Sequence, residues 1–433
     1  MRKLLFILFF SWLQSCNQEK IGTQVDKDGV VTKMPFLWKS RISDGARLSA
    51  ISRGYLVDGK GLLCVAMKNS TPPEGYGDNF LQLKDIQTGR NIWEWDDLFD
   101  KRIANTIRQS IDVQKGRMLL HDGRSRYFVD TDAGKTIWKG KSELPGIGPH
   151  ASFLDDRYFI KASDPEIMAL DIAKDAIYEG NYQNGDLRQI AMPKYSDEYF
   201  KKVDGRVDMG GAIVNFHAFK KDGKSYLIIP YAEPGPAVKY SSVRALFGMY
   251  NLDTKKWIYD RIPLGISEDG TTASVVPVID GDFVYMTSRA AVDCYEIMTG
   301  KRIWQTRLTE TSTTALDMIV DGSNLLVNSG DAKLYCLDKT TGAQRWSLPS
   351  SAFASDLYCQ DGTVYWIATN ALRAADIQSG KMLWNMESPD KHEEGRSDSW
   401  FWGFVTGLPA YSGNKGKIYV STNLNIYAFD AVK

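Results

Sequence analysis

The sequence offers little with which to do chemistry. Its four histidines, His121, His150, His217 and His392, are scattered, and none stands at the spacing of a zinc or copper ligand pair. Its five cysteines include no Cys-x-x-Cys unit, so neither a thiolate metal site nor a dithiol redox motif is present. No Gly-x-Ser-x-Gly elbow, phosphate loop or dinucleotide fingerprint occurs. Fifty-three basic residues balance fifty-three acidic ones, which removes the long-range basic field of a nucleic-acid binder and leaves no acidic tail. No run reaches the ~18 apolar residues of a membrane helix. Cys64, Cys294, Cys336 and Cys359 all lie in apolar strand contexts and read as free, buried thiols. In an exported chain they can also pair, and sequence does not choose the pairing.

Two features are present in strength. The first is the N-terminus, where Met1-Arg-Lys precedes the apolar run Leu4–Leu13, the n- and h-regions of a secretory signal. It ends in Leu13-Gln-Ser-Cys16, which resembles the lipobox of bacterial lipoproteins and implies cleavage before an acylated Cys16. Residues 1–15 are therefore expected to be a signal peptide and residues 16–34, polar with Gly, Asp, Lys and Gln, a flexible lipid-anchored tether. Asn17 differs from the aspartate that retains enteric lipoproteins in the inner membrane, so the outer membrane is the expected destination.

The second is a repeat supported by a heavy aromatic load of twelve Trp and twenty-one Tyr. An acidic residue, two variable residues, a small residue, Gly, three variable residues and Trp recur at fixed spacing. The copies end at Gly89 and Trp93, Gly134 and Trp138, Gly300 and Trp304, Gly342 and Trp346, and Gly380 and Trp384. Two shortened copies end at Tyr178 and Trp257. The chemistry is that of a hairpin: the acid accepts amides across the turn, the Gly takes positive φ at a bulge, and the Trp enters the returning strand. Aromatic intervals of 45, 40, 79, 47, 42 and 38 residues point to four-stranded propeller blades, with one blade plus an insertion, about 183–210, in the long interval. Residues 35–433 are thus expected to be one all-β domain, an eight-bladed β-propeller of antiparallel blades. The last unit lacks its Trp strand and the orphan strand around Trp38 lacks a hairpin, so their pairing is expected to close the ring.

The Asp-x-x-Thr-Gly-Lys-x-x-Trp signature resembles that of the pyrroloquinoline-quinone-like (PQQ-like) repeat family, over nearly all of the mature chain. Two functional classes come with that resemblance. Quinoprotein dehydrogenases use a catalytic Asp, a calcium ion and usually an adjacent Cys-Cys disulfide, and this shorter chain has no such pair. The BamB-like lipoproteins of the outer-membrane β-barrel assembly machinery are non-catalytic rings that bind protein. The second class is the expectation here: a scaffold without PQQ or calcium, anchored by lipid, binding envelope proteins and no nucleic acid. A funnel enzyme using PQQ is the alternative, and glycan binding through exposed aromatics a weaker one. Candidate binding residues are Tyr199 and Phe200 in the insertion, and Arg396, Trp400, Phe401 and Trp402 before the last unit, since loops on a rigid scaffold and Trp with Arg are typical of interfaces.

Overall fold

The structure is a computed structural model. It describes residues 22–42, 54–57, 61–67, 79–98, 111–114, 116–121, 125–141, 151–155, 157–163, 166–171, 188–191, 212–213, 215–234, 243–265, 275–288, 290–309, 315–390, 400–422 and 424–432. Every regular element among them is a β-strand, and the strands fall into eight sheets, each built on an antiparallel up-and-down meander in chain order. The sixth is representative: Ala315–Asp321, Asn324–Ser329, Lys333–Asp338 and Gln344–Pro349 pair in sequence. Its second and third strands are almost wholly buried and its fourth alternates between exposed and half-buried, so the core lies between sheets and the fourth strand faces outward. This is the architecture of a β-propeller.

Each repeat motif is the third hairpin of its sheet. Asp338 Oδ1 accepts the Thr340 and Thr341 amides and the Thr341 hydroxyl, and the Gly342 amide closes the turn on the Asp338 carbonyl at 2.8 Å. The Arg345 guanidinium, with these donors, holds Asp338 down to about 2. Asp85 repeats the pattern with Gln87 and Thr88, and its carboxyl is likewise lowered, chiefly by the Thr88 hydroxyl. A bulge follows in every full copy: Cys336 faces Trp346 but Leu337 faces Gln344, leaving Arg345 unopposed. In register the Trp always faces the residue two before the acid, as in Leu83–Trp93, Phe128–Trp138, Cys294–Trp304 and Ala374–Trp384.

The indole then ties one sheet to the next. Trp93 Nε1 donates to the Thr131 carbonyl, Trp304 to Lys339 and Trp346 to Ile377, each the residue after the next sheet's acidic turn residue. The ring lies flat against that turn's glycine: a Cβ on Gly134 would come within 2.6 Å of Trp93, and one on Gly380 within 2.8 Å of Trp346. Only glycine leaves room for the docked ring.

The orphan strand behaves as the sequence predicts. Trp38–Arg41 pairs antiparallel with Asn425–Asp430, and Trp38 faces Ala428, two residues before Asp430, the register of every other copy. Its Nε1 donates to Ile86 in the first sheet at 3.1 Å. Trp38, Ile86, Leu62, Phe80, Phe404 and Tyr419 share one buried cluster, joining the last sheet to the first.

Three expectations are corrected. In the fourth sheet the docking position belongs to Tyr259, not Trp257. Tyr259 faces Met249, two residues before Asn251, and its hydroxyl donates to the Ile297 carbonyl at 2.8 Å. Trp257 instead packs edge-on against Tyr250. Tyr259 stands eight residues after Asn251, the spacing of every full copy, with Lys255 at φ +57° in the place of the turn glycine, so counting to the nearest Trp picks the wrong ring. Second, the segment around 183–210 is not all insertion, because Arg188–Ala191 pairs with Glu166–Ala169 as the outer strand of the third sheet; its single large apolar residue, Ile190, leaves no alternation to read. Third, the polar tether is partly structured. Gln24–Val25 and Val31–Lys33 form a hairpin whose second strand lies parallel to Met382–Glu387, adding two strands to the outer edge of the seventh sheet. Its apolar residues Val31, Met34 and Phe36 pack on that sheet's core. Tyr178 and Cys16 lie outside the described residues, as do the side chains of Trp138 and Cys64.

Candidate interaction surface

An up-and-down sheet has two chemically different ends. The first and third hairpins share one end, as shown by the Lys339 amide donating to the Ser323 carbonyl. The second hairpin and the connection to the next sheet share the other, where the Ser350 amide reaches Ala332. The motif turns, with their tied carboxylates and glycines, therefore occupy one end and are consumed by inter-sheet docking. The connections at the opposite end are free of that duty.

On that second end, neighbouring connections present large exposed aromatics. Phe353, in the connection between the sixth and seventh sheets, is 82% exposed. Trp400 and Trp402, at the end of the next connection, are 39% and 44% exposed. Strand alternation places them: Phe401 between them is fully buried with Tyr427 and Phe429, so it is core and not a binding residue, a correction to the expectation for it. A bulge between Phe401 and Val405, with Gly403 at φ +105°, turns the strand entry. The Ser421 hydroxyl fixes that turn by donating to the Trp402 carbonyl at 2.7 Å and accepting the Phe404 amide. Arg396, Tyr199 and Phe200 lie outside the described residues. Phe353 escapes a reading based on Trp and Arg content, because a lone Phe between two alanines carries no pattern.

Asp390 anchors the same connection. Its carboxylate takes the Lys39 ammonium at 2.6 Å, the Asn425 amide at 2.8 Å and the Tyr427 hydroxyl. The connection is thereby fastened to both the N-terminal strand and the last sheet.

Among the described residues no group of three or more His, Cys, Asp or Glu is placed to hold a metal ion. Asp293, the buried carboxylate of the described residues, is already engaged: Gln305 Nε2 donates at 2.6 Å, Ser288 Oγ stands at 3.4 Å and Arg302 at 3.6 Å. These residues do not fit a calcium-bound quinone, which needs open carboxylate and amide oxygens. Cys294, Cys336 and Cys359 are free thiols, and burial pushes the Cys336 thiol up to about 11, so it is inert. Half-buried His217 is held below its usual range by burial and stays neutral at pH 7.

Burial raises Asp293 to about 6 against the hydrogen bond from Gln305 and the charge of Arg302. A carboxyl whose folded value exceeds its unfolded one near 3.9 favours folding when protonated, so its penalty grows as pH rises from about 4 to 6 and is constant above. Asp293→Asn is expected to be more stable than the parent at pH 8 by on the order of 2 kcal/mol and to lose that advantage by pH 4. Urea unfolding at both pH values measures it; an Asn variant that is less stable at pH 8 contradicts the sign.

Residues 288–431 match the family model of the outer membrane protein assembly factor BamB. The BamB structure from Moraxella catarrhalis superposes with a TM-score of 0.54 at 12% identity, covering 92% of this chain and 99% of that one. The chain is a β-propeller of PQQ-like repeats that resembles BamB. The computationally designed Ika8 protein gives 0.56 at 13% identity, covering 90% of this chain and 100% of that one. Quinohemoprotein alcohol dehydrogenase from Comamonas testosteroni gives 0.62 at 11% identity, covering 92% of this chain and 76% of that one. At such identities these likenesses establish the fold alone. No curated protein sequence matches the chain.

Proposed function

We propose that this chain is a non-catalytic propeller scaffold of the bacterial cell envelope, lipid-anchored at Cys16, that binds a protein partner through the aromatic end of its sheets. The eight sheets are read as eight blades of one ring, closed by the strand Trp38–Arg41. The match to the BamB family model supports a place in outer-membrane protein assembly, and the lipobox supports the outer membrane as the site of anchoring.

The observation that carries the reading is the set of exposed aromatics, Phe353, Trp400 and Trp402, on neighbouring connections of a rigid body. Exposed rings on an ordered scaffold are the anchors around which interface energy concentrates. Repeat packing explains the buried indoles and leaves these three without a structural duty.

The double substitution Trp400→Ala, Trp402→Ala is expected to lower recovery of an outer-membrane assembly partner at least tenfold in co-purification from detergent-solubilised envelopes. Its Tm should stay within about 2 °C of the parent, since exposed substitutions cost little stability. Equal recovery of that partner by both proteins, or recovery of no envelope protein by the parent, overturns the reading. Oxidation of alcohols or sugars with an artificial dye acceptor after addition of PQQ and calcium would replace it with the funnel-enzyme alternative, and loss of glycan-array binding on the same double substitution with the glycan-binding one.

A further inference from the structure

The N-terminal segment does more than close the fold. Before its Trp38 strand enters the last sheet, it lays a hairpin along the outer edge of the seventh. Asp26 shapes the hairpin, its Oδ1 accepting the Asp28 and Val30 amides while Gly29 turns at φ +77°. Val31 then runs parallel beside Trp384, and Phe36 packs edge-on against Tyr427 at 5.4 Å. The Lys39–Asp390 ion pair fastens the strand that follows. From Gln24 to Ile42 the chain is thus secured across two neighbouring sheets.

We infer that this hairpin is a mooring clasp that presents the outer edge of the seventh sheet to the lipid surface; the inference rests on acylation at Cys16. The occupant of this edge is the membrane to which Cys16 is attached, and the length of chain between them decides it. From Cys16 to Gln24 the chain extends at most about 28 Å, at roughly 3.5 Å per residue. A folded body of about 400 residues is roughly 55 Å across. With the hairpin docked, the tether cannot bring a distant sheet to the bilayer. Were the chain free up to Trp38, it would extend about 75 Å and any side could face the lipid. The hairpin itself carries exposed apolar side chains at Val25 and, just beyond it, Leu37. The clasp thereby orients the aromatic end and the motif-turn end sideways to the membrane, open to partners.

The test uses the full-length protein purified from membranes, with Cys16 acylation verified by mass spectrometry, in vesicles of phosphatidylethanolamine and phosphatidylglycerol. A benzophenone side chain is introduced at Gln24 or Lys381, on the seventh-sheet edge, or at Lys255 or Ile258, on the fourth. Lipid adducts should be at least fivefold more abundant at the first pair of sites. Inserting twelve Gly and Ser residues between Asn17 and Gly22 should bring the ratio close to one without changing Tm, and Val31→Asp should do the same by releasing the clasp. Equal labelling in acylated parent protein, or a ratio that survives the insertion, overturns the orientation while leaving the anchor intact. An unacylated Cys16 overturns the anchor and this inference together.

Discussion

Replacing Trp38 with alanine is expected to destabilise the protein by about 3–5 kcal/mol, the cost of deleting a buried indole from a core that cannot collapse around it. Trp38 is 8% exposed and occupies the docking position between the last sheet and the first. It stacks at a tilt 5.8 Å from Tyr419, lies against Gly89, and donates to the Ile86 carbonyl. The effect should exceed that of an equivalent substitution such as Trp93→Ala, because no hairpin joins the strand it anchors to the rest of its sheet. The residues flanking the strand, Leu37 and Ile42, donate their amide hydrogens to the Ala428 and Leu424 carbonyls. Amide hydrogen exchange in Asn425–Asp430 should accelerate along with the fall in stability. Trp38→Phe keeps an aromatic ring and loses only the hydrogen bond and part of the contact, so it should cost about 1–2 kcal/mol. Denaturant unfolding of the three proteins checks the series; a Trp38→Ala cost below about 1 kcal/mol means the N-terminal strand is dispensable.

The second large effect is expected at a glycine. Gly342→Ala combines two penalties that the fold lets one separate. Gly342 sits at φ +74°, and a Cβ there would meet Thr306 Oγ1 at 2.5 Å and Trp304 Cε3 at 2.6 Å. Left-handed backbone costs an ordinary residue about 1–2 kcal/mol. The collision must also displace the docked indole, with its bond to Lys339, and the Thr306 hydroxyl, which donates to the Gly342 carbonyl at 2.6 Å. The sum is about 2–5 kcal/mol. Gly322, in the first hairpin of the same sheet, has φ +58° and nothing within 4 Å of its added Cβ. Gly322→Ala should therefore cost only about 1–2 kcal/mol, the conformational part alone. If the two substitutions prove equal by urea unfolding, the close approach of Trp304 contributes nothing and the glycines are kept for the turn only.

Much of the fold was legible because the repeat states its own physics. Asp, Gly and Trp at fixed spacing specify turn, bulge and docking ring by local chemistry and size. The register found in Trp93, Trp304 and Trp346 follows directly. Legibility failed where one of the three was missing. In the fourth sheet, Asn251 replaces the acid and Lys255, at φ +57°, replaces the Gly; the spacing is kept, and Tyr259 takes the place that proximity would assign to Trp257. A tyrosine hydroxyl reaches the Ile297 carbonyl as an indole N–H would, a substitution visible only when both sheets are in place. The candidate surface was legible in part. Trp400 and Trp402 stand out by type, but their separation from Phe401 depends on which face of the strand meets Tyr427 and Phe429.

The sequence by itself determined the class of this protein: a repeated hairpin grammar, enough copies to fill the chain, and an unmatched strand at each end. These are local properties, set by residue type and spacing within about ten positions. Only the tertiary structure decided where the polar N-terminal segment goes. Val31, Met34 and Phe36 are too sparse to mark a strand locally, and Val31–Lys33 becomes one because the outer edge of Met382–Glu387 offers unpaired backbone and an apolar shelf beside Leu383. A strand that borrows its reason for existing from a partner more than 300 residues away leaves no trace in its own neighbourhood.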